Sequence, residues 1–426
     1  MKLLSKVALA GMFGTAAEDF DFLLASYAAA LVWPTIFFPS ISRSAAYLAS
    51  VTAFVVSFVG RPFGSFIFGQ LGDTRGRKSI LVLTLILMGV SGFLIAFIPG
   101  YTAIGILGGI FLLILRFIQG LGYGGEWGNV TTWVAEEANK TGKRGFWTGL
   151  VPQGYVIGGG GAALGVTLMS LVNFHFFLLY GWRIMYIIGG VAVSIGAIIR
   201  FRLVESGIFD EIIKEKKVMK LPALTVLREK AGRVFKLAGV NMAAQTPVYV
   251  GISALIIYLV EVIHISPDLT TTATLIGTAF GALLIYLTTI AADRIGRRTT
   301  LLIVYGALAI YSIPFIYIIN TGIVSYVLAA DSILIAFAFA GIGPMAAFLS
   351  ENFDTKYRAS GSGLAYQFGV LLGVLPQTYL ITYILGFGKT YSIYIGVTLL
   401  VTVLISLICT AFSHDTEKED LSKDIA

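Results

Sequence analysis

Gly69-Gln70-Leu71-Gly72-Asp73-Thr74-Arg75-Gly76-Arg77-Lys78 returns 220 residues later as Thr289-Ile290-Ala291-Ala292-Asp293-Arg294-Ile295-Gly296-Arg297-Arg298. The register is strict, because 293 minus 73 and 296 minus 76 give the same offset. Each copy lies between two long apolar runs. A repeat of that length in so apolar a chain predicts two related halves.

The surroundings of the two copies set the class. The chain has 426 residues, of which 57% are hydrophobic and 12% charged, with mean hydropathy +0.87. Soluble domains carry about 25% charged residues. Twelve apolar stretches of membrane-crossing length follow one another, at about 9–38, 45–71, 79–99, 102–128, 145–173, 181–201, 235–263, 270–292, 299–319, 323–350, 359–386 and 390–412. The expectation is an all-α membrane protein with twelve transmembrane helices in two pseudo-symmetric six-helix halves. The halves are 1–201 and 235–413, and a polar linker at 202–234 joins them. Phe209, Ile212 and Ile213 among the linker charges suggest a short amphipathic helix on the inner face. A charged tail, 414–426, is expected to be disordered.

The net charge of +7 is distributed as a membrane protein distributes it, not as a nucleic-acid binder does. With the N-terminus inside, 25 of the 30 Lys and Arg fall on the inner side. They include Arg75, Arg77 and Lys78, Arg294, Arg297 and Arg298, and ten between Arg200 and Lys236. Only Arg43 and Lys389 fall in outer loops, while Arg61, Arg116 and Arg183 lie within or at the edge of spans. The positive-inside rule then places a multi-pass protein in the cell membrane with both termini cytoplasmic. Glu18, Asp19 and Asp21 interrupt the apolar start, which therefore reads as an uncleaved first helix rather than a signal peptide. Cys409 is alone, and His175, His264 and His414 are scattered. No metal-ligand cluster or nucleotide motif appears, so neither an enzyme nor a cofactor is expected.

The repeated cassette resembles the loop between the second and third helices of the major facilitator superfamily, G-x-x-x-D-x-x-G-R-K. The second copy has Thr289 for the leading Gly and Arg298 for the final Lys. Gly76 and Gly296 permit a tight turn, and Arg77 with Lys78, and Arg297 with Arg298, read as anchors at the inner headgroups. Asp73 and Asp293 can accept hydrogen bonds from a neighbouring helix N-terminus. Gly69, Asp73, Gly76, Arg77 and Lys78, with Asp293, Gly296, Arg297 and Arg298, would then latch the halves when the inside is closed.

Further stretches are similar to the metabolite:proton symporter family within that superfamily. They are Glu18-Asp19-Phe20-Asp21-Phe22, Arg61-Pro62-Phe63-Gly64 and Arg116-Phe117-Ile118-Gln119-Gly120-Leu121-Gly122-Tyr123-Gly124-Gly125-Glu126-Trp127. Lys143-Arg144-Gly145-Phe146-Trp147, Gly181-Trp182-Arg183-Ile184, Arg202-Leu203-Val204-Glu205-Ser206, Arg358-Ala359-Ser360-Gly361 and Tyr366-Gln367-Phe368-Gly369 extend the likeness along the chain. Two features depart from the family: Asp19 stands where an aromatic is common, and Asn352-Phe353-Asp354 where Leu-Phe-Pro is frequent. The resemblance implies secondary transport by alternating access, driven by an ion gradient.

Charges inside a span are costly, about 2.5–3.5 kcal/mol near the centre on translocon scales, so they pair or line a wet pathway. Glu18 and Asp21 are three apart on one helical face, and Asp19 points elsewhere. The expectation is that Asp21, with Glu18 as second candidate, pairs with Arg116 and exchanges protons as it gains and loses that partner. Glu126, about 15 Å along the fourth helix from Arg116, is a third candidate. The alternative for each is a permanent ion pair that only holds helices together. Asn241, Gln245 and Tyr249 form one stripe of the seventh span. With Gln153 and Tyr155 of the fifth, and Tyr366 and Gln367 of the eleventh, they suit a polar solute at the midplane. Arg61 and Arg116 match a carboxylate, which favours organic acids or zwitterions. Asp331 is a further candidate near the outer surface.

These readings point to a monomeric, proton-coupled symporter of a small polar metabolite whose partners are substrate, protons and lipid. The alternatives are a uniporter or exporter of sugars or other solutes, and a membrane nutrient sensor that moves nothing.

Overall fold

The structure, a computed structural model, describes residues 2–139, 141–201, 219–384, 388–416 and 421. Among the described residues, twelve long helices cross the fold. In the first half they are α1 (Lys2–Leu31), α2 (Arg43–Arg75), α3 (Arg77–Ile95), α4 (Leu107–Glu137), α5 (Gln153–Phe176) and α6 (Trp182–Phe201). The second half holds α7 (Ala231–Tyr249, continuing as Leu255–Glu261), α8 (Pro267–Ile295), α9 (Arg297–Asn320), α10 (Val324–Glu351), α11 (Arg358–Ile384) and α12 (Ile393–Ala411).

Length and hydropathy alone mark ten crossing stretches among the described residues. The two additional spans have physical explanations. Arg144–Phe201 is one continuous apolar stretch, but Asn173 is extended (φ −163°, ψ 100°) and a π turn at Phe177–Gly181 follows, so the chain reverses there into α5 and α6. Helix α1 carries Glu18, Asp19 and Asp21, which keep it from registering as a simple apolar span.

Gly76 (φ 101°) and Gly296 (φ 93°) end α2 and α8 and start α3 and α9 in a backbone conformation that disfavours a Cβ. The recurring glycine of the cassette is therefore required by the turn. Within each half the helices approach closely. A Cβ on Gly120 would overlap the Ser57 carbonyl of α2, and one on Gly158 the Ala16 carbonyl of α1. Across the halves, α2 packs on α11 and α5 on α8, the two contacts that a two-fold exchange of halves would interconvert. The perimeter is apolar, with Val90 and Phe93 (α3), Ile195 and Ile198 (α6), Ile303 and Ile310 (α9) and Val401 and Ile408 (α12) exposed where lipid would lie.

One expectation lies outside the described residues and one needs amendment. Phe209, Ile212 and Ile213 of the linker lie outside the described residues, although Pro222–Glu229 farther along it is a short helix. The tail does not simply trail away: Asp415, Thr416 and Leu421 are bound to the face that carries the repeated loops, and Leu421 is 1% exposed.

Candidate functional site

Polar side chains gather in three places: the face of the repeated loops (the signature face), the centre, and a small bridge on the opposite face. At the signature face, both repeated aspartates accept from backbone donors of the other half. Asp73 accepts from the N–H groups of Ala359 (3.1 Å) and Ser360 (2.8 Å), in the first turn of α11. Asp293 accepts from those of Gly145 and Phe146, 2.8 Å each, at the start of the short helix Arg144–Gly149. These N–H groups have no partner within their own helices, and the dipole there favours a carboxylate.

Around each aspartate stands a buried ion cluster. In one, Arg77 is 2.8 Å from Glu136 and 3.7 Å from Asp73, and Arg358 of the second half lies 3.3 Å from Glu136. In the other, Arg297 is 2.7 Å from Asp293 and 3.2 Å from Glu351, and Arg144 of the first half lies 2.5 Å from Glu351. Arg77 and Arg297 are therefore interior members of ion networks and not headgroup anchors; both are buried. Arg298 does lie outward, donating to the Ala411 carbonyl at 2.6 Å. The tail joins both clusters. Thr416 donates to Glu351 (2.5 Å), Asp415 accepts from the Arg297 N–H (2.9 Å), and the Leu421 carbonyl accepts from Arg358 (3.0 Å).

The centre is aromatic with charges embedded in it. Arg61 of α2, 4% exposed, places its guanidinium carbon 4.4 Å from the Phe22 ring centre, 4.9 Å from that of Phe58 and 4.8 Å from that of Tyr123. Among the described residues, its direct polar contact is a 3.5 Å hydrogen bond to the Tyr249 hydroxyl, and its Nε has no partner. No carboxylate among the described residues lies within ion-pair distance of it. Beside it, the Tyr155 and Tyr366 hydroxyls meet at 2.9 Å across the halves, and Trp127 stacks on Tyr366 with ring centres 3.8 Å apart.

The expected direct pairing of Asp21 or Glu18 with Arg116 does not form. Gln119, one turn along α4 from Arg116, stands between: its amide nitrogen donates to Asp21 and its oxygen accepts from Arg116. Arg116, with no exposed surface, also donates to the Ser57 hydroxyl at 3.0 Å. Tyr123 donates to Asp21 and to the Glu18 carbonyl, 3.2 Å each. Glu18 and Asp21 thus share the α4-facing side of α1, while Asp19 lies against Gly159 of α5.

Glu126 has a partner that the sequence reading placed elsewhere. Arg200, counted among the cytoplasmic cations, is 1% exposed and grips Glu126 with both nitrogens, at 2.5 and 2.7 Å. It reaches inward from the end of α6, over Gly14, where any side chain would collide with it.

Four expected solute ligands are otherwise engaged, and a fifth, Gln367, in part. Gln153 spends its amide on the Ala282 carbonyl of α8 at 3.0 Å, away from the centre. Asn241 donates to the Tyr366 carbonyl at 2.9 Å, and Gln245 to Asn241 at 3.5 Å. Arg116 is enclosed by Ser57, Gln119, Phe22 and Phe54, apart from the tyrosine pair. Gln367 donates to the Tyr123 carbonyl at 3.2 Å and leaves its oxygen unpartnered.

On the opposite face, Glu261 holds Arg43 and Tyr47 of α2, both at 2.7 Å. The halves touch at both faces, so the centre is occluded.

The profile of the Major Facilitator Superfamily matches residues 20–376. The chain belongs to that superfamily. Membership in the Major Facilitator Superfamily makes it a multi-pass membrane transporter and not an enzyme. It is 32% identical to the inner membrane metabolite transport protein YhjE of Escherichia coli (strain K12), over 98% of this chain and 96% of that one. To the shikimate transporter of the same organism it is 30% identical, over 95% and 94% of the two chains. Its fold matches the solved proton:xylose symporter XylE with a TM-score of 0.73, at 18% identity, over 99% and 98% of the two chains.

Several residues of this superfamily member escaped the sequence reading: Glu136, Glu351, Gln119, Arg200, Trp127 and the ring of Phe22 and Phe58. A signal existed for some. Glu136 and Glu351 are 215 apart and Arg144 and Arg358 are 214 apart, close to the 220 of the cassette. Nothing in the local sequence marks Arg200 as inward-reaching.

Proposed function

We propose that the protein is a proton-coupled importer of a small carboxylate-bearing metabolite, an organic acid or a zwitterion, working as a monomer by alternating access. The observation that carries this is Arg61, a buried cation at the junction of the halves with aromatic faces around it and, among the described residues, no carboxylate within ion-pair distance. A solute carboxylate would supply the missing charge through a two-pronged contact, and a solute cation would find the faces of Phe22, Phe58 and Tyr123. Tyr155, Tyr249, Tyr366 and Gln367 supply the remaining polar contacts. The name of the shikimate transporter among the relatives agrees with a carboxylate.

In this reading the signature face is cytoplasmic, as are both termini, and the Asp73 and Asp293 contacts are latches that close it. Asp21 is the leading proton-coupling group. While it accepts from Gln119 and Tyr123, Gln119 is aligned to receive Arg116; a proton on Asp21 removes the negative charge these donors face, weakens both bonds and loosens Arg116 from α1. Glu18, on the same side of α1 as Asp21, has no side-chain hydrogen bond among the described residues and is the second candidate. Glu126 is held by Arg200 and takes part in coupling only if that pair opens during the cycle.

The test is uptake into proteoliposomes of radiolabelled shikimate, glycine betaine and glucose, with the outside made acidic. Accumulation of at least one carboxylate, abolished by a protonophore and by Asp21→Asn, is expected. Accumulation of glucose alone, equal uptake with and without the gradient, or full accumulation by Asp21→Asn refutes the proposal. A nutrient sensor would show no flux, and a uniporter flux without accumulation.

A further inference from the structure

Asp331 is a buried carboxylate that belongs neither to the signature face nor to the aromatic centre. It lies seven residues beyond the start of α10, about 10 Å along the helix from the opposite face. It has no exposed surface, and both of its side-chain oxygens lack hydrogen-bond partners. Each helix packed against it fails to supply a charge. Helix α1 offers Tyr27, whose hydroxyl is buried beside the Thr274 hydroxyl of α8. Helix α9 offers Tyr311, already spent on the Ala330 carbonyl at 2.9 Å. Helix α7 offers Gly251, so close that a Cβ there would fall 2.8 Å from Oδ1 of Asp331. Among the described residues, no Lys, Arg or His comes within ion-pair distance.

Gly251 sits inside the π turn Val250–Ala254, where α7 changes its hydrogen-bonding pattern. Such turns are local weaknesses that recur at functional sites. The turn is tied across the halves, because the Ser26 hydroxyl of α1 donates to the Ile252 carbonyl at 3.0 Å. One residue before the turn is Tyr249, the contact of Arg61.

We propose that Asp331 is a second proton-carrying site, in the second half, and that release of its proton opens the α7 turn toward the opposite face. A neutral carboxylic acid in this enclosure leaves only its O–H donor and its carbonyl acceptor unmade. A carboxylate there has no donor and no cation, and relief requires water and the Tyr27 hydroxyl to reach it. The backbone lying against it is the π turn, so entry of water displaces that turn, breaks the Ser26 tie and moves Tyr249 away from Arg61. The balance is simple: the acid gives its proton to water entering from the opposite face and regains it when the turn closes. This adds a site to the proton-coupled reading above and rests on different measurements, so either can fail alone.

The experiment needs no substrate. Protein in lipid nanodiscs is titrated with pH while the infrared stretch of protonated carboxyl groups and the amide hydrogen exchange of residues 249–256 are followed, for the natural sequence and for Asp331→Asn at matched pH. The natural sequence should show a carboxyl band that the variant lacks. On alkalinisation its exchange should rise about tenfold or more above that of the variant, which should stay slow. Tyr27→Phe removes a hydroxyl whose neighbour is Thr274, its unfolding temperature serves as the folding control, and it should move the pH at which exchange switches. An identical carboxyl band in Asp331→Asn, the same pH response in that variant, or an unmoved switch in Tyr27→Phe overturns the proposal.

Discussion

Asp73→Asn isolates the work of one cross-half carboxylate. The natural side chain makes two charge-assisted bonds, to the N–H groups of Ala359 and Ser360, and lies 3.7 Å from Arg77. Asparagine keeps one acceptor oxygen, so one N–H loses its partner and the other bond loses its charge. Hydrogen bonds to charged groups contribute about 1.5–3 kcal/mol, and the helix-end dipole adds up to about 2 kcal/mol in buried geometry. A loss of about 2–4 kcal/mol for the signature-closed state is therefore expected, which raises the open-to-closed ratio roughly 30- to 1,000-fold. A reporter exists at Ser362, buried in α11 with its hydroxyl 3.3 Å from that of Thr132 in α4. Ser362→Cys in a Cys409→Ser background, in vesicles exposing the signature face, should react slowly with a membrane-impermeant maleimide. Asp73→Asn should speed that reaction at least about 30-fold while unfolding temperature changes little. Asp293→Asn, whose carboxylate holds Gly145 and Phe146, should behave alike. Labelling within about twofold of the parent for both variants, below 0.5 kcal/mol, would refute the reasoning.

Removing residues 414–426 deletes the contacts of Asp415, Thr416 and Leu421 with Arg297, Glu351 and Arg358, and should also accelerate labelling of Ser362→Cys; an unchanged rate would show that the tail bears no load. Glu126→Gln leaves Arg200 buried without its carboxylate, a loss of about 3–5 kcal/mol, which should appear as a lower unfolding temperature in detergent. Part of that loss should be recovered in Glu126→Gln/Arg200→Met, and no recovery would mean that the pair is not the cause. Gly120→Ala forces a Cβ onto the Ser57 carbonyl and should separate α2 from α4, whereas Gly232→Ala meets nothing within 4 Å and should be neutral or slightly stabilising. Expression and unfolding temperature compare the two directly.

Much of the fold is legible because membranes make the code simple: a span needs an apolar run, and a duplicated chain repeats its loops. The aspartate contacts were also within reach, since a carboxylate followed by a glycine turn has few partners besides a helix end. What escaped depends on the third dimension. Gln119 intrudes between Asp21 and Arg116 because it lies one turn from Arg116 and its amide matches both, a choice that only packing decides. Arg200 ends an apolar run and so counted as a loop cation, yet Gly14 leaves a channel through which its side chain turns inward. Gln153 has the composition of a ligand and the position of a helix-to-helix bond. Asp331 was readable as an unusual acid, but its isolation from every donor was not.

Both signature aspartates grip peptide nitrogens, and this has a consequence for how the protein can vary over generations. A side-chain pair constrains two codons, and a change in one invites a compensating change in the other. Here the receiving position contributes only an N–H, which every residue except proline provides. Ala359 and Ser360 are thus free to drift, within their packing, without weakening the grip of Asp73. Gly145 is the exception, because a Cβ there would crowd Asp293 at 2.6 Å. Paired substitutions between lineages should therefore trace the Glu136–Arg358 and Glu351–Arg144 contacts across the halves, and Asp73–Arg77 and Asp293–Arg297 within each cassette, but pass over the cross-half bonds of the aspartates, whose other half is written in the backbone.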